Sequence, residues 1–304
     1  MLISRWWPLF LAACIDEPVR ITPPGGGPPA DRLSELGLFA ELANQVPAAG
    51  VVPYDVIAPL WSDGASKHRF ILAPAPLATT ADRWTFSDGT YLVKTFYFGD
   101  RLVETRVIAF TGGGTQLGTY LWNAAQTDAF ATGGNLDIAV GGIEDHVPGT
   151  SQCDSCHRGG ALGVRSPELA DQLPALVAAG VADRVPDGIV SFVDPYGDAP
   201  LADRAAAYLE INCAHCHSPG GEASGTHADW RRDQLATDIC RDANDSVDGA
   251  DRVIDPGHPE SSVMIKRMRA TDPFIHMPRG PSHILDDRGV ALLEAWISSL
   301  TGCP

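Results

Sequence analysis

The sequence is poor in basic residues. Its 304 residues include 22 lysines and arginines against 38 aspartates and glutamates, which gives a formal net charge of −16 at pH 7. A nucleic-acid-binding surface needs a basic footprint to neutralise phosphates, so this balance argues against a nucleic-acid partner. An acidic surface keeps a protein soluble and attracts basic partners. Hydrophobic residues make up 44% of the chain, and its length is sufficient for two domains with separate cores.

Long apolar runs are also missing. After the first fourteen residues, no stretch is long and apolar enough to be a transmembrane helix. The opening "MLISRWWPLFLAAC" has one arginine, a short apolar run and small residues before Cys14, which is the pattern of an export signal. Residues 11–14, "LAAC", also resemble a bacterial lipobox, in which the cysteine becomes the lipidated first residue. A cleavable signal with an incidental cysteine is the alternative interpretation.

Residues 1–14 are therefore predicted to be a lipoprotein signal peptide ending in the lipidated Cys14. Residues 15–32 are rich in proline and glycine and have no apolar period, which predicts an extended tether. Acyl chains on Cys14 would anchor the chain to a membrane. We expect an exported lipoprotein in the periplasm or at the cell surface. Ile15 rather than aspartate follows the cysteine, which favours the outer membrane over the inner.

Most of the seven cysteines belong to a repeated pattern. Cys-x-x-Cys-His occurs as "CDSCH" at residues 153–157 and as "CAHCH" at residues 213–217. Besides Cys14, this leaves Cys240 and Cys303. An exported chain meets oxidising conditions in which spare thiols form disulfides. These two cysteines can therefore pair and tie the C-terminal tail to the body of the protein.

The repeated pattern is that of a c-type haem attachment site. On a helical turn, the first cysteine and the histidine four positions later share a face. The two thiols can form thioethers with the haem vinyl groups while the imidazole binds iron. A thioredoxin-like redox pair needs no following histidine, and a four-cysteine zinc site usually has closer spacing. We predict two covalently attached haem c groups, with Cys153, Cys156, Cys213 and Cys216 as attachment points and His157 and His217 as axial ligands.

The chain changes character along its length. Residues 33–44, "LSELGLFAELAN", have the apolar spacing of a short helix. Residues 45–145 contain short runs of aromatic and β-branched residues separated by turn signals, which predicts a largely antiparallel β unit. After the turns of residues 186–200, two amphipathic helices are predicted at 201–213 and 286–300. We expect them to pack on each other, with Tyr208 and Trp296 at the crossing point.

The second motif has the fuller context. After "CAHCH" come "SPGG" and, sixty residues later, "DPFIHMPRGPSH" and the terminal helix. This layout over residues 199–304 resembles class I cytochromes c, which implies an all-α domain with Met277 as the sixth iron ligand opposite His217. A methionine opposite a histidine raises the reduction potential, which suits electron transfer. The rival ligands are His276, Met264 and Met268.

The first motif has no comparable partner. The chain contains no methionine between residues 2 and 263, so the sixth ligand of the first haem cannot be a methionine from its own part of the chain. His68 in "SDGASKHRF" and His146 in "EDHVPG" are the candidates. For either, a surface or hydrogen-bonded imidazole is the competing interpretation. The position can also remain open.

Two further resemblances exist, the first across nearly the whole mature chain and the second in the first half only. The stretches "PLWSDGASKHRFILAP", "LVKTFYF", "YLWNAAQTDA" and "PGTSQCDSCHRGGALGV" resemble a family of exported bacterial dihaem c-type cytochromes. Residues 86–94, "FSDGTYLVK", followed by Cys-x-x-Cys-His, are similar to cytochrome c′-beta. In that superfamily the sixth position is open to small molecules such as nitric oxide, and some relatives carry a haem-linked lysine and oxidise hydroxylamine. The resemblance draws attention to Lys94, for which a solvated strand lysine is the competing interpretation.

These patterns together predict an α+β chain. Residues 33–185 would form a mainly antiparallel β domain with the first haem motif at its end, and residues 199–304 an all-α class I cytochrome c-like domain. The predicted function is electron transfer between other redox proteins by a membrane-tethered carrier rather than an enzyme. The alternative is a haem enzyme or gas-binding protein, with peroxidase-like, nitric oxide or hydroxylamine chemistry at an open first haem. A third possibility is a β domain that binds a partner, with accessory haems.

Overall fold

The computed structural model describes residues 17–27, 29–140, 142–157, 160–226, 228–237, 239–280, 282 and 284–303. The predicted signal peptide with its lipidated Cys14 lies outside these residues, as does part of the predicted tether. Within the described part of the chain, no helix is long and apolar enough to cross a membrane.

Antiparallel strands make up most of the first half. In chain order they are β1 (Phe39–Glu41), β2 (Val46–Pro47), β3 (Val51–Tyr54), β4 (Ser66–Leu72), β5 (Ala78–Thr79), β6 (Trp84–Thr85), β7 (Tyr91–Phe98), β8 (Arg101–Thr111), β9 (Gly114–Trp122), β10 (Ala129–Thr132), β11 (Leu136–Val140) and β12 (Ile143–Val147). Six of them form one sheet in the order β10-β9-β8-β7-β4-β3, and the others pair as β1-β2, β5-β6 and β11-β12. The predicted antiparallel β unit is confirmed.

The helix predicted over residues 33–44 is wrong beyond its first turn. A 3₁₀ helix covers Leu33–Leu36 and ends at Gly37, whose φ of 65° is left-handed. Glycine accepts this conformation without a steric penalty and so terminates helices efficiently. The chain then continues as β1 rather than as a further helical turn.

Both faces of the large sheet are covered. Successive residues of a strand point to opposite faces. On one face, Phe70, Val93 and Val107 pack with Ile21 and Leu33 from the N-terminal segment. The opposite face is covered by a second apolar cluster that combines sheet residues with the segment after the first motif: Ile71, Leu92, Ile108, Leu169, Leu173 and Leu176. The sheet is thus buried on both sides, which limits where a large ligand can contact it.

Five α-helices follow over the described residues: α1 (Thr150–His157), α2 (Leu173–Ala178), α3 (Leu201–Asn212), α4 (Val263–Arg269) and α5 (Asp287–Ser299). Helices α3 and α5 confirm the two amphipathic helices predicted from the sequence. Tyr208 and Trp296 are buried in the same core, and Tyr208 contacts α5, as predicted, at Gly289. A Cβ atom added to Gly289 would lie 2.2 Å from the Tyr208 hydroxyl oxygen, so α3 and α5 touch at a glycine.

The prediction of an all-α class I cytochrome c-like domain over residues 199–304 is wrong. A hairpin of β13 (Asp242–Val247) and β14 (Ala250–Arg252) lies between α3 and α5. Asp248 and Gly249 form its turn with φ values of 45° and 79°. An Asp-Gly pair with two positive φ angles is a typical two-residue hairpin turn, because its twist matches that of the strands. Over the described residues the chain has more residues in strands than in α-helices.

A disulfide joins the hairpin region to the C-terminal tail. Cys240 and Cys303 are bonded with an S–S distance of 2.03 Å and a Cα–Cα distance of 5.6 Å. Cys240 lies two residues before the first strand of the hairpin, and Cys303 follows the end of α5.

Candidate haem-binding site

The first Cys-x-x-Cys-His motif forms the end of α1. Cys153 and Cys156 carry free, half-buried thiols, and His157 is the last residue of the helix. Cys153 and His157 are four positions apart in the helix and therefore share a face. This is the local geometry that attachment of one haem by two thioethers and one imidazole requires.

The hydrogen bonding of His157 leaves one ring nitrogen available to a metal. Its Nδ1 lies 3.0 Å from the Gly160 carbonyl oxygen. Because a carbonyl can only accept, Nδ1 carries the proton and Nε2 keeps a free lone pair. Burial and, to a smaller extent, the charge of Lys94 lower the pKa of His157 to about 4. The imidazole is thus neutral at pH 7, which is the form that binds iron.

The second motif begins where α3 ends. Cys213 is the C-cap residue of the helix, and the His217 N–H donates to the Cys213 carbonyl at 2.9 Å, so the motif continues as a helical turn. Cys213 and Cys216 also carry free, half-buried thiols. Both motifs therefore present the same local arrangement of two thiols and a histidine.

A threonine gives His217 the same tautomer as His157. The Thr226 hydroxyl donates to the Ala223 carbonyl at 2.7 Å, so its oxygen accepts from His217 Nδ1 at 3.2 Å. Nε2 again remains free. Burial lowers the pKa of His217 to about 4, with smaller contributions in the same direction from His215 and Arg267. A metal-binding histidine usually donates its other N–H to such a partner, so both histidines fit the role of axial ligand.

The structure brings the two motifs together, which the sequence did not predict. The thiol of Cys156 lies against that of Cys216, and the His215 side chain lies beside Cys156. Nδ1 of His215 is buried and has no hydrogen-bond partner among the described residues. The sixty residues between the motifs thus separate them along the chain but not in space.

Polar contacts near the motifs fix this arrangement. Arg165, eight residues after the first motif, binds Glu210 of α3 at 2.8 Å. Asn212, next to the second motif, accepts a hydrogen bond of 2.8 Å from the Trp61 backbone N–H. Charge-assisted and buried hydrogen bonds of this kind hold packed segments in one register.

Basic side chains of the large sheet form a row, two members of which act on the first motif. Arg69 of β4, Lys94 of β7 and Arg106 of β8 are direct neighbours in register and are called here the cation row. The Arg106 guanidinium lies 4.3 Å from the ring centre of Phe96. Lys94 and Arg106 both lower the pKa of His157, so the cation row acts electrostatically on the motif.

The structure brings neither predicted histidine to the first motif as a free ligand. His68 alternates with Lys67 and Arg69 on β4, so it lies on the opposite face of the sheet, stacked on Tyr97 at 4.4 Å. His146 of β12 has both ring nitrogens engaged: Nδ1 with Asp137 at 2.6 Å and Nε2 with Gln152 at 3.2 Å. Gln152 directly precedes Cys153, so His146 orients the start of the motif.

Met277 lies in a loop attached to α4. Its N–H donates to the carbonyl of Arg267 at 3.0 Å. The positive charge of Arg267 lowers the pKa of His217. Met264 and Met268 pack in the apolar core of this region, as their i, i+4 spacing indicated. His276 directs Nδ1 to the Ala270 carbonyl at 2.8 Å. The loop with Met277 is thus hydrogen-bonded to α4, the helix that carries Arg267.

Sequence reasoning missed the partners of both histidines and the cation row. The Gly160 carbonyl lies in an irregular segment and Thr226 ends a three-residue 3₁₀ helix, neither of which carries a periodic signal in the sequence. The cation row, in contrast, depends on strand register, since Arg69 pairs with Lys94 and Lys94 with Arg106 across three strands. Among the described residues, no group of three or more His, Cys, Asp or Glu side chains is arranged to hold a bare metal ion. Comparison of the chain with protein-family models, curated proteins and solved structures found no match.

Proposed function

We propose that this protein is a dihaem c-type cytochrome that transfers electrons between redox partners outside the cytoplasm. The observation that supports the proposal is the contact between the motifs, in which Cys156 meets Cys216. Two attachment sites in contact would place their redox groups close enough to exchange electrons within one protein. A carrier of this type needs partners that differ from itself, one as electron donor and one as acceptor.

The residues of each motif have defined roles in this proposal. Cys153 and Cys156 would hold the first haem, and Cys213 and Cys216 the second, through thioether bonds. His157 and His217 would bind iron through Nε2, because their Nδ1 protons are donated to the Gly160 carbonyl and the Thr226 hydroxyl. A bound haem c supplies a one-electron iron couple.

The second haem would take Met277 as its sixth ligand. The support is the hydrogen bond that attaches the Met277 loop to α4 at Arg267. The charge of Arg267 lowers the pKa of His217. A methionine ligand raises the potential relative to a second histidine. The remaining part of the proposal, export and anchoring through a lipidated Cys14 at the outer membrane, is supported by the sequence of residues 1–15.

A second candidate function is binding or chemistry of a small molecule at the first haem. It is favoured by the positions of the two predicted histidines. His68 lies on the far face of the sheet, and both nitrogens of His146 contact oxygen atoms. Neither is therefore available as a sixth ligand for the first haem, and an open position would admit carbon monoxide or nitric oxide.

The haem content of the full chain tests the proposal. The protein is produced in a host that matures c-type cytochromes, and haem per chain is measured by the pyridine haemochrome assay. We expect two haems in the wild type and one each in Cys153→Ser/Cys156→Ser and Cys213→Ser/Cys216→Ser. The matched control Cys240→Ser/Cys303→Ser removes the disulfide pair and should retain both. A wild-type chain without haem would overturn the proposal.

Two spectra then separate the candidate functions. The near-infrared band of methionine-bound ferric haem should be present in the wild type, absent in Met277→Ala and retained in the control Met264→Ala. Addition of carbon monoxide to the ferrous protein should leave the spectrum unchanged if both sixth positions are filled. A carbon monoxide complex at one haem in the wild type would favour the second candidate function over simple electron transfer.

A further inference from the structure

A loop of the first half reaches the second motif. Residues 60–63, "LWSD", lie between β3 and β4 and are called here the crossing loop. The Trp61 backbone N–H donates to Oδ1 of Asn212 at 2.8 Å. Asn212 is buried at the end of α3, and Cys213 of the second motif follows it directly. The crossing loop thus fixes the residue that precedes the second motif.

The same loop holds the segment that follows Met277. One oxygen of the Asp63 carboxylate, Oδ1, accepts from the Ser282 hydroxyl at 2.6 Å and from the Ile284 N–H at 2.8 Å. The Trp61 indole N–H donates to the Ile284 carbonyl, also at 2.8 Å. These three bonds join positions that are 219 to 223 residues apart in the sequence. They attach Ser282 and Ile284, which come shortly after Met277, to the first half of the chain.

Asp63 has the burial and the backbone conformation that this contact needs. It is only 5% exposed, its φ is 51°, and Gly64 follows with a φ of 82°. Aspartate and glycine are among the residues that adopt the left-handed conformation most readily. Hydrogen bonds to a carboxylate are stronger than those to a neutral oxygen, and removal of a buried acceptor leaves its donors unpaired. Loss of the Asp63 side chain would therefore loosen the segment that contains Ser282 and Ile284.

The chain around Met277 is therefore held from two directions. The Met277 N–H donates to the Arg267 carbonyl of α4 at 3.0 Å, which ties the loop to the C-terminal part. Beyond Met277, Asp63 ties the following segment to the crossing loop. The crossing loop is itself fixed to the large sheet, because the Lys67 ammonium of β4 donates to the Leu60 carbonyl at 2.8 Å. One of the two attachments thus comes from the β-rich half.

We propose that Asp63 is a positioning residue of the second haem centre. Together with Trp61 it holds the segment after Met277 in a fixed place relative to the second motif, and this keeps the Met277 sulfur at the iron. The inference rests on the proposed function, in which Met277 is the sixth ligand. The second centre is then incomplete without the first half of the chain, because the crossing loop contacts both the residue before Cys213 and the segment after Met277.

The test uses substitutions in the haem-loaded full chain. Asp63→Gly removes the acceptor without straining the turn, because glycine accepts a positive φ. Asp63→Asn keeps an acceptor oxygen and should restore most of the effect. Asp248→Gly is the matched control, because Asp248 is also a left-handed aspartate before a glycine, with a φ of 45°, but it is exposed in the turn between β13 and β14. Should Asp63→Gly fail to accumulate, Trp61→Phe removes the indole N–H that donates to Ile284 and keeps an aromatic ring.

Two measurements are made on each protein: haem per chain, and the loss of the near-infrared band of methionine-bound ferric haem as imidazole is added. Imidazole is a good iron ligand and competes with the methionine, so the band reports the second haem alone. In Asp63→Gly the haem content should stay at two, and the imidazole concentration that removes half of the band should fall at least about 10-fold, the effect of losing one charge-assisted hydrogen bond. Trp61→Phe should show a smaller fall, and Asp248→Gly should match the wild type.

The outcomes separate the role of Asp63 from the proposed function. If Asp63 only stabilised the fold, imidazole would remove the band at the same concentration in Asp63→Gly and in the wild type. That result, or an equal fall in Asp248→Gly, would overturn the inference and leave the proposed function standing. Two haems without a methionine band in the wild type would overturn the inference together with the assignment of Met277. A wild-type chain without haem would overturn both the inference and the proposed function.

Discussion

The same five-residue pattern lies in two different environments. The first motif ends a short helix beside the charged face of a β-sheet, where the charges of Lys94 and Arg106 lower the pKa of His157. The second follows a long helix whose core is apolar and aromatic, with the Trp230 ring 6.4 Å from that of His217. In the proposed function the motif itself would account for attachment only. Charge, hydrogen bonding and burial around a haem set its potential, so the two proposed centres are expected to differ in their redox properties.

The largest predicted effect tests the helical packing around the second motif. Gly289→Ala places a Cβ atom 2.2 Å from the buried hydroxyl of Tyr208. Within a helix this substitution normally stabilises by about 1 kcal/mol. Here the overlap should outweigh that gain and lower the free energy of unfolding by roughly 1–3 kcal/mol. Urea unfolding followed by far-ultraviolet circular dichroism measures the change.

Gly113→Ala is the control for that substitution. Gly113 lies in the turn between β8 and β9, and the nearest atom to its added Cβ would be 3.9 Å away. Its effect should stay within about 0.5 kcal/mol of the wild type. An equal or greater stability of Gly289→Ala would show that α3 and α5 do not touch at this glycine.

An intermediate effect is expected from the hydrogen bond that orients His217. Thr226→Val removes the oxygen that accepts from Nδ1, and a hydrogen-bonded imidazole is the more basic ligand. In the haem-loaded protein of the proposed function, the midpoint potential of the second haem should therefore rise, while that of the first, whose His157 is oriented by Gly160, stays constant. Potentiometric titration with optical detection measures both.

Thr237→Val provides a close structural control. Thr237 also ends a 3₁₀ helix, and its hydroxyl also donates to the carbonyl three residues earlier, at 2.8 Å. It accepts no hydrogen bond from either motif histidine. Equal shifts of the potential in the two variants would mean that the contact of Thr226 with His217 is not responsible.

The smallest effect concerns a buried acid near the first motif. Burial raises the pKa of Glu168 to about 7, and the charges of Arg165 and Lys94 oppose this while Glu210 adds to it. The folded state then holds a proton that the unfolded state has lost, so the contribution of Glu168 to stability falls as pH rises from about 4.5 to about 7. Glu168→Gln should consequently be more stable relative to the wild type at about pH 8 than at about pH 5. Equal differences in unfolding free energy at the two pH values would contradict this.

Periodicity in the sequence was sufficient to predict much of the fold. The aromatic and β-branched runs became β7, β8 and β9, and the apolar stripes became α3 and α5. The hairpin of β13 and β14 was missed because its strands are mostly polar and exposed and show no apolar alternation. Its Asp248-Gly249 turn was the available signal.

The candidate site was predictable only where it depends on local spacing. Cysteine and histidine positions follow from the helical repeat, but the approach of Cys156 to Cys216 depends on how separate segments pack. Nothing in the local pattern of β4 shows whether His68 or Lys67 faces the motif, because a strand has two faces and the sequence does not assign them. Both faces here carry polar residues as well as apolar ones, so hydrophobicity did not decide between them.

The Cys240–Cys303 disulfide has a consequence for the integrity of the chain. It closes a covalent ring across a sequence separation of 63 residues, and this ring contains α4, the Met277 loop and α5. A protease that cuts one peptide bond inside the ring opens it without releasing a fragment. The nicked protein therefore stays one covalent molecule until a reductant breaks the disulfide. Until then, the segment with Met277 stays attached to the rest of the chain.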